Sequence, residues 1–73
     1  MMVDLSGLKK KWTCPYVARE RIGEFTGGIL NPRTCANLDS LGKGPAGRIR
    51  IGRKVAYQVD RLISWLEERA EHC

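Results

Sequence analysis

Asn31-Pro32-Arg33-Thr34-Cys35-Ala36-Asn37-Leu38-Asp39-Ser40-Leu41-Gly42 carries its own start and stop signals. Asn31 is placed as a helix N-cap, since its side-chain oxygen can accept from a free N–H in the first turn. Pro32 follows at the first helical position, where a missing N–H costs nothing and the fixed φ is already helical. Gly42 follows the last helical residue and can take the left-handed conformation that closes a helix. The spacing predicts a helix over residues 32–41, about three turns long. At about 100° per residue, Asn31, Cys35, Leu38 and Gly42 share one side, and Arg33, Ala36, Asn37 and Ser40 the other. The first side can bury. The second is small and polar, with one Arg and one Asn, the side chains that pair bidentately with guanine and adenine edges. It lacks the Glu/Lys pairs common on solvent-facing helices. Two readings stay open on this stretch alone: a recognition helix and an ordinary capped surface helix.

Upstream, Thr13 is expected to cap a first helix, with Pro15 in its first turn. Trp12 and Val17 have the spacing of a hydrophobic staple. Ala18, Ile22 and Phe25 continue one apolar stripe, with Arg19, Glu20 and Glu24 facing away. Thr26-Gly27-Gly28 should end this helix, and Ile29 and Leu30 lead into Asn31. Two short helices joined by a glycine-containing turn are the outline of a helix-turn-helix. Residues 1–11 show no apolar period and read as a flexible basic arm, leaving residues 12–73 as a single domain.

Downstream, Gly42-Lys43-Gly44-Pro45-Ala46-Gly47 is a breaker run and reads as loop. The period then changes to two. Ile49 and Ile51 alternate with Arg48 and Arg50, and Val55 and Tyr57 flank Ala56. With Gly52-Arg53-Lys54 as a three-residue turn, Ile51 faces Val55 and Ile49 faces Tyr57. All four apolar side chains then share one face. Arg48 and Arg50 are left on the other, with Arg53 and Lys54 at the tip. An isolated hairpin is marginal, so its apolar face must lie on the helices. The last helix begins near Val59, where Val59, Leu62, Ile63, Leu66 and Ala70 form a helical stripe. Trp65 reads as a core-edge residue, Asp60 suits the first turn, and Glu67, Glu68 and Glu71 make an acidic outer face. The expected core is Ala18, Ile22, Cys35, Leu38, Ile49, Ile51, Tyr57, Leu62, Ile63 and Leu66.

The net charge is +5, and residues 42–54 carry +5 with no acid, through Lys43, Arg48, Arg50, Arg53 and Lys54. A one-sign patch on a small domain is the usual footprint for a polyanion, although charge runs are also often just solvated loops. With 73 residues there is room for one small core and little room for a substrate pocket. A hydrophobic fraction of 42% argues against wholesale disorder. No apolar run approaches a membrane span, and Asp4 interrupts the N-terminus where an export signal would need an apolar core. The three cysteines, Cys14, Cys35 and Cys73, are widely spaced without a CxxC pair, which fits reduced thiols in a cytoplasm. His72 beside Cys73 lacks zinc-ligand spacing, so neither metal nor cofactor is expected. The single His and the absence of a Cys–His–acid constellation argue against an enzyme.

NPRTCANLDSLGKGP followed by RIRIGRKVAYQVDRLISWLEERA resembles the small excisionase-like winged helix-turn-helix proteins of prophages and integrated elements. It is similar too to the DNA-binding head of mercury-resistance-type regulators. The likeness spans residues 12–70. It rests on the Arg33-Thr34 pair, the Gly-Lys-Gly-Pro loop, the IGRKV hairpin and the Trp65-Leu66 ending. It implies an α+β winged helix-turn-helix in the order helix, helix, β-hairpin, helix, with recognition helix 32–41 and wing 48–57. Two positions depart from the pattern: Leu38 stands where an aromatic is common, and Asp39 where Arg or an apolar residue is common. Asp39 on the DNA side would repel phosphate or accept from a cytosine amino group.

The expected function is sequence-specific binding of double-stranded DNA in a bacterial or phage context, as an excisionase or a prophage transcriptional regulator. Arg33 and Asn37 are expected to read bases, with Ala36 and Ser40 in closer contact. Lys43, Arg48, Arg50, Arg53 and Lys54 are expected to hold phosphates or enter the minor groove. A module this small implies repeated sites, a second copy or a partner recombinase. The rival reading is a protein-interaction adaptor whose basic wing docks an acidic partner.

Overall fold

The structure, a computed structural model, describes residues 4–5, 7–10 and 12–70. It is a small α+β fold in which four helices among the described residues pack around a three-stranded antiparallel sheet. Helix α1 (Gly7–Lys10) precedes strand β1 (Tyr16–Ala18), a 3-10 turn (Arg19–Arg21) and helix α2 (Ile22–Thr26). Helix α3 (Pro32–Ser40), strands β2 (Ile49–Ile51) and β3 (Lys54–Gln58), and helix α4 (Val59–Arg69) follow. The sheet order is β1-β3-β2.

The first helix expected from Thr13 onward is corrected: its first half is a strand. Tyr16, Val17 and Ala18 pair with Gln58, Tyr57 and Ala56 along the open edge of β3, and the Val59 N–H donates to the Pro15 carbonyl at 2.9 Å. Val17 and Tyr57, directly opposite each other, are both fully buried. Ladder bonds plus that buried pair outweigh a weak helical preference in a segment holding Tyr and Val, both good strand formers. Ala18 leaves the core list and is only half-buried, while Val17 enters it. With Val17 in a strand there is no helix start there to staple, and Trp12 packs edge-on against Phe25, with ring centroids 5.3 Å apart. Its Nε1 donates to the Tyr16 carbonyl.

Helix α2 is only five residues long. It ends where Gly27 enters the left-handed region at φ 67°. Thr26, 2% exposed, ties this turn together. Its hydroxyl donates to the Ile22 carbonyl at 2.9 Å and accepts from the Leu30 N–H at 3.1 Å. Helix α3 starts as its residues dictate: Asn31 Oδ1 accepts from the Thr34 N–H at 2.8 Å, with Pro32 in the first turn. At its far end the Lys43 N–H donates to the Leu38 carbonyl and the Gly42 N–H to Asp39.

The hairpin register is corrected by one residue. Gly52 and Arg53 form a two-residue turn, and Lys54 joins the ladder opposite Ile51. Arg50 then pairs with Val55 and Ile49 with Ala56. Gly52 has φ 61°, which suits the first central position of a primed hairpin turn. Since cross-strand partners share a face, the slip turns β2 over. Ile49 and Ile51, expected in the core, are exposed, Ile51 by 71%. Arg50 takes the side of Val55 and Tyr57.

The core is Val17, Ile22, Phe25, Cys35, Tyr57, Val59, Leu62, Ile63, Trp65 and Leu66, with Leu38 packed against it. Every buried α4 residue except Trp65 lies on the stripe read from the sequence. Trp65 is 9% exposed, donates from Nε1 to the Lys43 carbonyl at 2.9 Å and carries Arg69 over its ring. The segment read as a flexible arm is seated on α4 over its described residues. Leu5 and Leu8 pack on the core, the Leu5 N–H donates to Glu67 Oε2, and Lys9 pairs with Asp60 at 2.8 Å. Lys11, Glu71, His72 and Cys73 lie outside the described residues.

Candidate functional site

Helix α3 sets one wall of the site. Cys35 and Asp39, four residues apart, are its buried positions. Arg33, Thr34, Asn37 and Ser40 are exposed, and Ala36 is half-buried. The hairpin supplies the other wall. The register brings Arg50 to the Val55 side of the sheet, and Arg48 stands just before the paired residues. With Ala36 and Ser40 these two arginines line an open groove of about 340 Å³, as do Ile49 and Val55, and it also touches Arg19 and Asp39. Four of the nine residues singled out from sequence therefore meet in one place. Arg33, Asn37 and Lys43 are exposed but do not line this groove. Arg53 and Lys54 line a second hollow with Glu20 and Pro32, where Lys54 pairs with Glu20 at 2.7 Å.

Asp39 is the main correction at the site. Expected to face DNA, it is 8% exposed. Its Oδ2 accepts from Arg19 Nη2 at 2.6 Å and from the Tyr57 hydroxyl at 2.6 Å, while Arg19 Nε donates to the Tyr57 oxygen at 3.0 Å. Arg48 Nη1 approaches Oδ1 at 3.6 Å. Charge-assisted bonds of this length are the strong kind, and a carboxylate this buried requires them. Spacing held a signal for Asp39, since it lies one turn beyond the apolar Cys35. Arg19 gave none, because its partners are 20 and 38 residues away in sequence.

The cluster shifts its members. Burial, followed by the hydrogen bond to Asp39, pushes the Tyr57 hydroxyl up to about 12. The Tyr57 hydrogen bond, outweighing burial and aided by Asp39, holds Arg19 above its ordinary value. Burial pushes the Cys35 thiol up, away from thiolate. Cys14 is an exposed free thiol and Cys35 a buried one. Among the described residues no three Cys, His, Asp or Glu side chains gather as metal ligands. No helix among them is long and apolar enough to cross a membrane.

The groove can offer guanidinium donors, one hydroxyl and a small apolar patch, a set suited to an anionic polymer presenting phosphates and base edges. Compared with family models, with curated proteins and with solved structures, the chain finds no match.

Proposed function

We propose that the protein is a sequence-specific, non-enzymatic DNA-binding protein of excisionase or prophage-regulator type, built as a small winged helix-turn-helix. In this reading α2 and α3 are the helix-turn-helix pair and the β2–β3 hairpin is the wing. The observation that carries it is the shared groove, where Ala36 and Ser40 of α3 face Arg48 and Arg50 of the hairpin. A duplex laid across the groove would meet Arg48 and Arg50 with its phosphates, and would extend beyond the groove to present base edges to the exposed Arg33 and Asn37 of α3. Lys43, Arg53 and Lys54 would extend the phosphate contacts outward. The Lys54–Glu20 pair is exposed on both sides, so it resists a competing phosphate little.

A second reading, the adaptor, is favoured by one observation: Ile49 and Ile51 are exposed on β2, which pairs on one side only. Gel shifts with random duplex, with and without polyglutamate as an acidic competitor, separate the two. DNA binding that falls steeply with rising salt supports the first. Retention of polyglutamate but of no duplex at low salt hands the protein to the second.

A further inference from the structure

Beneath the groove lies a carboxylate that the DNA-binding reading does not use. Asp39 joins three parts of the fold. Through Oδ2 it holds Arg19 of the 3-10 turn and Tyr57 of β3. Its Oδ1 is shut from solvent and accepts no hydrogen bond. Gly44 closes one side of it, and Arg48 Nη1 stands 3.6 Å away. That separation is too long for a hydrogen bond, so the attraction is coulombic. A buried carboxylate oxygen without a partner is costly, and Arg48 is the cation placed to relieve it. Arg48 is itself 47% exposed and lines the groove.

We propose that Asp39 is a positioning residue for this interface. Its Oδ2 locks the roll of α3 against Arg19 and Tyr57, and its Oδ1 draws Arg48 in from the hairpin. Helix and hairpin then meet a duplex at a fixed separation. The proposal rests on the DNA-binding reading and makes a prediction opposite in sign to simple charge counting. Asp39→Asn keeps an oxygen for Arg19 and Tyr57, turns an amide N–H₂ toward Arg48 and raises the net charge by one. Charge alone predicts tighter binding to any duplex. Positioning predicts weaker binding, by about 5-fold, in the range expected for coupled neighbours.

The experiment is a salt titration of DNA binding by wild type, Asp39→Asn, Arg48→Gln and the double variant, with melting temperatures and amide NMR spectra of each free protein. Arg48→Gln should weaken wild-type binding but add less than about twofold in the Asp39→Asn background, because Arg48 has already been released there. Tighter binding by folded Asp39→Asn, or fully additive losses, overturns the proposal. If wild type binds no duplex, the DNA reading fails and the free protein decides the rest. Asp39→Asn should then still shift the amides of residues 48–50 while leaving those of α1 in place, and an unshifted 48–50 segment overturns the coupling. Should Asp39→Asn not fold, Arg48→Gln alone must move the amides of residues 38–40, and their constancy overturns it equally.

Discussion

A methyl group on Gly44 would overlap Oδ1 of Asp39, and neither side is free to move. Asp39 is held by Arg19 and Tyr57, and the Lys43 carbonyl beside Gly44 is held by Trp65. Gly44→Ala is therefore expected to destabilise by about 1–3 kcal/mol through overpacking. Gly7→Ala meets open space and should stay within about 0.5 kcal/mol. Paired thermal melts check both, and equal melts would refute the close approach. Tyr57 gives a pH signature. Its folded value of about 12 lies above the ordinary one near 10, so the neutral hydroxyl is the form that folding favours. That stabilisation is fully present below about pH 10 and is lost as pH rises toward about 12. Tyr57→Phe should cost about 1–3 kcal/mol at neutral pH, since Arg19 and Asp39 each lose a partner. Urea unfolding from pH 8 to 12 should show a component of alkaline loss in wild type that Tyr57→Phe lacks.

At the scale of elements, the hairpin register decides the most. Period-two alternation is the same in either register, so Ile49, Ile51, Val55 and Tyr57 cannot distinguish a two-residue turn from a three-residue one. The side-chain period is two, so one residue of slip exchanges the faces of β2. Ile51→Thr tests this: in the observed register it should change stability by no more than about 0.5 kcal/mol. A loss of core-residue size would restore the alternative register. Leu62→Ala, at a fully buried position of the α4 stripe, should instead cost about 2–5 kcal/mol. Denaturant melts of the two variants side by side make the contrast. The α4 stripe was legible because five apolar positions repeat at helical spacing over three turns. The Tyr16–Ala18 strand was not, because three residues hold too little period to oppose the helical reading and its partner lies some 40 positions away.

At the scale of the whole molecule, charge is distributed by element. The basic run of residues 42–54 lies in the loop and hairpin beside α3, while α4 exposes Asp60 and Glu68. If α3 reads bases and the hairpin tip holds phosphate, their arginines do separable jobs. Arg33→Ala should cost about 1–3 kcal/mol on a cognate site and much less on random duplex. Arg53→Ala should weaken both alike and lower the slope of log affinity against log salt by about one. Salt titrations of both variants on both DNAs measure this. Lost discrimination at an unchanged slope for Arg53→Ala would assign base reading to the hairpin instead.

Local chemistry by itself determined the boundaries of α3, the stripe of α4 and the segregation of positive charge into residues 42–54. Each rests on interactions within a few residues: the Asn31 cap, the Pro32 dihedral and the i, i+4 spacing of Leu62 and Leu66. Tertiary structure decided that Tyr16–Ala18 is a strand, that β2 turns Arg50 rather than Ile51 toward α3, and that Asp39 is buried. In each case the deciding partner is remote: the free edge of β3, the packing of Val55 and Tyr57, and the guanidinium of Arg19. A group's burial and its partners are properties of the folded surroundings, and a carboxylate on a helix acquires its role only when another segment brings it a cation.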